Sequence, residues 1–239
     1  MSPEDSFPIQ NEAISLMQKD AELAQLLPFE ELSQDQAEDI LSQASVRRVP
    51  ANATYFNEGD SAKNFYLLLD GVLRVVQVTE QGEQVVILHV VPGKMFGIAK
   101  AFENDTYHAT ARAASEGVAL SWPSEVWDEF IAKYPGFLQA TRSAVGERVE
   151  EMQEKIVEMA TLQVEQRIAH AILRLVRQTG KETEQGIEID FPLTRQDISE
   201  MTGTTLHSVS RYMSKWQKDG IVNSGRRRVV VCRPQDLPV

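Results

Sequence analysis

The 239-residue chain has one cysteine, Cys232. An intramolecular disulfide is excluded, and so is a zinc or iron–sulfur site built from several thiolates of one chain. A reducing cytoplasm is the expected home. Long apolar runs are missing as well. No stretch approaches the ~20 residues of a membrane span. The start carries neither a basic n-region nor a signal-like apolar segment, so no membrane partner is expected. Catalytic signatures are absent: there is no Walker loop, no nucleophile elbow and no metal-spaced His/Asp/Glu set, and an enzyme is not expected. Cupin-type metal binding would need a larger cluster of strand ligands than His89 and His108 supply. Positive charge is scarce, with 24 Lys/Arg against 35 Asp/Glu and a net charge of −11. That balance argues against nucleic acid until it is partitioned. Residues 192–239 hold eight basic and four acidic groups, a balance of +4, whereas the other 191 residues hold 16 and 31, a balance of −15. The tail alone has the basic footprint of a DNA reader. Because +4 is modest, two copies are needed for affinity, and a homodimer is expected.

The tail contains LTRQDISEMTGTTLHSVSRYMSKWQKDGI, residues 193–221. Thr194 is a good helix N-cap, and Asp197 three positions on can close a capping box. Ile198 and Met201 are spaced to face a core. Gly203 stops the first helix, since glycine readily takes the left-handed conformation that closes a helix. Thr204 or Thr205 can cap a second helix. There Val209, Met213 and Trp216 form one apolar stripe at i, i+4 and i+7. Leu206, His207, Ser210 and Arg211 fall off that stripe near the helix start, where a docked helix-turn-helix meets base edges. Next comes Asp219-Gly220, a turn signal, and then two β-branched runs separated by Asn223-Ser224-Gly225. This hairpin reads as a wing. Arg226, Arg227 and Arg228 at its turn can contact phosphate without reading sequence.

Residues 28–43 read as a short helix with Leu32, Ala37, Ile40 and Leu41 inward. Short β runs follow at 46–49, 54–56, 65–69, 72–78, 84–91, 95–96, 109–113 and 118–122, divided by turn signals such as Asp70-Gly71 and Pro92-Gly93. About eight short strands at this spacing indicate a sandwich or jelly-roll barrel. Helices return at 124–133 and 137–159. On the longer one, Val145, Val149, Met152, Ile156 and Met159 repeat every four, three, four and three residues, a coiled-coil seam of about two and a half heptads. The opposite face, with Glu147, Arg148, Glu150, Glu151, Glu154 and Lys155, is densely charged, which favours a dimer seam. A helix at 162–178 packs into the tail, and the hinge between modules falls at 160–163. The fold class is α+β: an N-terminal helical lead at 1–27, a jelly-roll effector domain at 28–134, a dimerisation helix at 135–160 and a winged helix-turn-helix domain at 161–239.

A jelly roll, a long dimer helix and a winged helix-turn-helix in that order resemble the Crp/Fnr superfamily of bacterial transcription regulators. The segments YFNEGDSAKNFYLLLDGVLRV, VPGKMFGIAKAF with YHATARA, and GTTLHSVSRYMSKW carry the resemblance over residues 28–235. It implies an effector pocket at Gly97, Ile98, Tyr107 and His108. Cyclic-nucleotide-binding members hold the ribose with a Glu where this chain has Ile98. They hold the phosphate with an Arg-Ser pair where it has Tyr107 and His108. A buried phosphate needs a cation, so no response to cyclic AMP is expected. The lead has no cysteine, so no iron–sulfur cluster is expected. His207 followed by Ser-Val-Ser-Arg is similar to the nitric-oxide-responsive regulators of denitrification, which implies haem. Its axial ligand would be His108, or else His89 or Met95. A regulator with a non-haem organic anion, or with no ligand, stays open beside it. The resemblance also implies that Arg211 reads the guanine of a TTG-like half-site, Ser210 a neighbouring thymine and Leu206 a thymine methyl. His207 would meet its own target base. Thr194, Thr205 and Ser208 would hold phosphates on an inverted repeat, and RNA polymerase is a partner if the chain is an activator.

Overall fold

The computed structural model describes residues 32–238. The helical lead expected at 1–27, and the start of the helix expected at 28–43, lie outside the described residues. The described part of that helix is α1 (Gln34–Ser42), opened by a capping box between Ser33 and Gln36. Eight strands follow: β1 (Ser45–Val49), β2 (Thr54–Phe56), β3 (Asn64–Asp70), β4 (Leu73–Val78), β5 (Gln84–Val90), β6 (Met95–Phe96), β7 (Thr110–Ala113) and β8 (Gly117–Pro123). They form two antiparallel sheets, ordered β1-β8-β3-β6 and β2-β7-β4-β5, and make a jelly-roll-like sandwich rather than a closed barrel. Then come α2 (Trp127–Lys133) and α3 (Pro135–Thr161).

Strand β3 shows why the sandwich is wrapped by helices. Its run FYLLL is buried on both faces, unlike the in–out alternation of a half-solvated antiparallel strand. Tyr66 and Leu68 join Tyr55, Phe56, Leu73, Val90 and Phe96 between the sheets. Phe65, Leu67 and Leu69 point the other way, into a cluster with Ile40, Trp122, Trp127, Phe130 and Phe137 from the helices. Trp122 anchors that layer by donating from Nε1 to the Ile40 carbonyl at 2.8 Å.

The C-terminal unit begins with α4 (Val164–Thr179) and continues through β9 (Gly180–Thr183), β10 (Gly186–Ile189), α5 (Arg195–Thr202), α6 (Leu206–Lys218), β11 (Val222–Ser224) and β12 (Val229–Val231). Its sheet, ordered β11-β12-β10-β9, contains the expected hairpin β11–β12 and a second hairpin, β9–β10, that sequence reasoning missed. Gly186 is the residue that permits it. A β-carbon there would lie 2.3 Å from the Val231 carbonyl oxygen, so β10 closes on β12 only because position 186 has no side chain. The core of this unit is Ile168, Ile172, Leu175, Phe191, Leu193, Ile198, Val209, Met213 and Trp216, joined by Val72 and Ala114 from the sandwich.

Candidate nucleic-acid interface and effector region

Helix α5 starts as its residues dictate. Thr194 accepts from the Asp197 amide at 3.1 Å, and the Asp197 carboxylate accepts from the Thr194 amide at 2.8 Å and its hydroxyl at 2.7 Å. The helix stops at Gly203, whose φ of +57° is the left-handed value its closing turn needs. Ser199 clips the turn by donating to the Thr204 carbonyl at 2.5 Å. Thr205 caps α6, accepting from the Ser208 amide at 3.2 Å. Val209, Met213 and Trp216 are buried and pin α6 onto the core. With that stripe held down, Leu206, His207 and Arg211 are exposed at the start of the helix, and Ser210 is half-buried beside them.

Tyr212, which sequence reasoning missed, shapes this face. The Arg211 guanidinium lies 4.6 Å from the centre of the Tyr212 ring, and its Nη2 donates to the Tyr212 hydroxyl at 2.8 Å. A stacked, hydrogen-bonded arginine is already oriented and loses less freedom when it meets a base edge. The aromatic residue directly after the arginine was the available signal. In the wing, Arg226 and Arg227 are exposed. Arg228 instead makes a two-pronged ion pair with Glu188 of β10, at 2.7 Å from Nε and 2.6 Å from Nη2, and this pulls the Glu188 carboxyl below its usual range. Thr194 is also committed, since its hydroxyl donates to Asp197.

The residues expected to line an effector pocket are brought together only in part. Tyr107 is buried, its ring stacked on Phe56 at 3.7 Å. Its hydroxyl donates to the Asn64 carbonyl at 2.6 Å and accepts from the Asn64 amide at 3.2 Å, and burial pushes its pKa well above the usual tyrosine value. The space is filled by Phe56, Tyr66, Phe96 and Tyr55 around it. A β-carbon on Gly97 (φ +65°) would lie 2.9 Å from the Tyr66 ring and 3.0 Å from Phe56. Ile98 packs on the helix side, in the cluster with Trp122 and Phe130. His108 is exposed, and its backbone carbonyl accepts from Gln77 at 2.8 Å. A cation does reach the rings: Arg47 of β1 donates to the Tyr66 hydroxyl at 3.2 Å and lies 5.4 Å from the centre of Tyr55.

The candidate haem ligands do not converge. His108 faces solvent, and the Met95 side chain belongs to the helix-side core. His89 lies 5.3 Å from the Phe191 ring of the C-terminal unit. Burial, aided by nearby Arg74, lowers its pKa to about 3. The crevice that His89 and Met95 both touch holds about 40 Å³, against the ~300–1,000 Å³ of a ligand pocket. The three candidates are therefore separate positions and not one shared set of ligands.

The long helix departs from expectation on both sides. Val149, Met152, Ile156 and Met159 are 45–66% exposed, an apolar stripe on a single chain. Val145, expected to begin that stripe, packs against the chain's own helix-side cluster. The charged face is not uniformly solvated. Arg148 donates to the Met95 carbonyl at 2.6 Å, and Lys155 to the Val86 carbonyl at 2.7 Å. Burial there lowers the pKa of both cations and raises that of Glu151. These long side chains span from helix to sheet and satisfy carbonyls at its margin, a use of charge that spacing alone does not reveal.

Residues 46–134 match the cyclic nucleotide-binding domain, and residues 166–238 match the Crp-like helix-turn-helix domain. The chain is similar to the anaerobic regulatory protein of Pasteurella multocida (strain Pm70), 24% identical over 218 residues that cover 90% of this chain and 79% of that one. It is also similar to the fumarate and nitrate reduction regulatory protein of Escherichia coli (strain K12), 24% identical over 217 residues, 90% of this chain and 86% of that one. Among solved structures, the c-di-GMP-responsive global regulator CLP of Xanthomonas campestris has the same fold, with a TM-score of 0.73 and 21% identity over 83% of this chain and 99% of that chain. FixK2 of Bradyrhizobium japonicum has a TM-score of 0.71 and 18% identity, covering 82% and 98%.

Proposed function

Since the chain belongs to the Crp/Fnr family of transcription regulators and is not an enzyme, we propose that it binds an inverted-repeat operator as a homodimer. The Arg211–Tyr212 pair carries this assignment: a stacked guanidinium exposed at the start of a helix whose opposite stripe is buried. Its planar fork suits the O6 and N7 acceptors of guanine. Ser210, His207 and Leu206 flank it and supply the neighbouring base contacts. Arg226 and Arg227 hold phosphates, and Arg228 contributes less because Glu188 neutralises it. The exposed stripe Val149, Met152, Ile156 and Met159 is the seam that joins two copies.

The ring-filled interior around Tyr107 and the separation of His108 from His89 favour an effector that is neither a cyclic nucleotide nor haem. Tyr107 and its ring neighbours occupy the interior, and His108, His89 and Met95 share no space of haem size. An ultraviolet–visible spectrum of the protein with added haem and nitric oxide tests the second point. A Soret band lost in His108→Ala would overturn it. Selection of duplexes from a random pool, followed by binding measurements on Arg211→Ala, tests DNA reading. Recovery of an inverted repeat whose discrimination weakens at one base pair per half-site is the expected result, and recovery of no sequence preference would refute it.

A further inference from the structure

A crevice of about 50 Å³ lies where β5, α3 and α4 meet. Helical spacing explains what converges there. Glu151, Lys155 and Glu158 stand four and three residues apart and share one face of α3. Arg167 and Arg174, seven apart, share one face of α4, and residues 86–89 of β5 form the third side. Three cations therefore face two carboxylates, in a chain whose acidic residues outnumber its basic ones by 35 to 24.

The two carboxylates do not neutralise all three cations. Glu158 is taken by Arg174, which donates from Nη2 at 2.5 Å. Glu151 holds its charge less readily than an exposed glutamate, because burial raises its pKa. Lys155 donates to the Val86 and Ile87 carbonyls at 2.7 and 3.4 Å, which satisfies hydrogen bonds but supplies no counter-charge. Arg167 has neither kind of partner. Its Nε is buried without an acceptor, and among the described residues no carboxylate pairs with its guanidinium. Nε2 of His89 is likewise buried without a partner. An arginine cannot shed its proton to relieve such a site. Water would fill the hydrogen bonds but leave the charge uncompensated.

We propose that this crevice binds a small inorganic oxyanion, held by Arg167 together with Lys155 and His89. Each of the three contributes a donor. Arg167 presents a planar fork of N–H groups, Lys155 keeps one N–H beyond the two given to carbonyls, and the neutral imidazole of His89 can carry its proton at Nε2. An oxyanion has several acceptor oxygens and supplies the missing negative charge, so its hydrogen bonds are the strong, charge-assisted kind. The size of the crevice sets the ligand class. At ~10–15 Å³ for each water-sized group, it admits about four such groups. That suits an ion of phosphate or nitrate size, whereas a nucleotide needs the ~300–1,000 Å³ of an ordinary ligand pocket.

Titration calorimetry of the full chain tests this, with sodium phosphate, sulfate, nitrate and acetate as separate titrants and chloride holding the ionic strength constant. Saturable binding of an inorganic oxyanion at one ion per chain is expected, and the tightest of the three identifies its charge and shape. No saturable heat from any of them overturns the site. Tightest binding of acetate would make it a carboxylate site and overturn the inorganic assignment. Arg167→Gln is expected to bind at least about tenfold more weakly, a change of ~1.4 kcal/mol, with Arg167→Lys falling between it and wild type. Equal affinity in Arg167→Gln overturns the role of Arg167. Because Arg167 gives up no side-chain partner, Arg167→Gln should melt no lower than wild type in the absence of the anion. Should that variant not fold, wild type alone decides. The ¹⁵N resonance of His89 Nε2, assigned by its loss in His89→Gln, should move as the anion saturates the protein. A resonance that stays fixed while the binding heat develops places the ion elsewhere and overturns the proposal.

Discussion

Tyr107 is buried in the sandwich interior with its ring stacked on Phe56, and its replacement gives a graded test of how that interior is filled. Two substitutions separate ring from hydroxyl. Tyr107→Phe keeps the stack on Phe56 at 3.7 Å but removes the hydroxyl that serves both the Asn64 carbonyl and amide. Leaving such groups unpaired costs about 1–3 kcal/mol. Tyr107→Ala also deletes a ring that is 5% exposed, and truncating a buried aromatic costs about 3–5 kcal/mol. Trp122 and Trp127 report the sandwich while Trp216 reports the C-terminal core, so urea unfolding followed by fluorescence in a Trp216→Phe background isolates the affected layer. Wild type and Tyr107→Phe should show no binding heat with cyclic AMP, because the ring at 107 fills the space beside Arg47. If Tyr107→Ala unfolds within about 0.5 kcal/mol of wild type, the ring does not fill the interior, since a shift that small belongs to surface positions. Micromolar binding of cyclic AMP by wild type would refute the filled interior.

Other consequences can be measured directly. Arg211→Ala should weaken operator binding by about 1–3 kcal/mol and blur selectivity at one base pair; an equal loss on every sequence would make Arg211 a phosphate contact. Replacing Arg226 and Arg227 with alanine should reduce the slope of log affinity against log salt by about one per residue, whereas Arg228→Ala should change it less because Glu188 already pairs with that side chain. Ile156→Glu, at a position 66% exposed on the single chain, should shift sedimentation from dimer to monomer without lowering the helical signal; an unchanged mass would place the dimer contact elsewhere. His89 is surrounded by Arg74, Asp197, Lys155 and Arg174, and its pKa is lowered from 6.5 to about 3. Below 6.5 the unfolded chain takes up a proton that folded His89 refuses, so stability should be level above that pH and fall between 6.5 and 3. Melting curves of His89→Gln should show a shallower acid slope, and an identical slope would assign the effect to other groups.

Several features were legible in the residues because they depend on neighbours in the chain. Thr194 with Asp197, Gly203, and the stripe Val209–Met213–Trp216 set the two helices and their turn through local capping and periodicity, and the structure has all of them. The strand pattern likewise led to the sandwich, since alternation and turn residues act over short range. The hairpin β9–β10 was hidden because its segment, KETEQGIEI, is polar and brief, and it is held by pairing with β12 across more than forty residues.

By itself, the sequence determined the order of modules, the cap-and-stop logic of the helix-turn-helix, the partition of charge and the exposed heptad stripe, all consequences of spacing along one chain. The tertiary structure decided what each charge and ring does. Arg228 and Thr194 are already engaged, Arg148 and Lys155 serve carbonyls of the sheet rather than water, and the Tyr107 ring is stacked on Phe56. It also decided that Arg74 and Asp197, 123 positions apart, meet in a largely buried pair. Such contacts are set by how sheets and helices pack in three dimensions, and composition and periodicity carry no information about which distant groups that packing brings together.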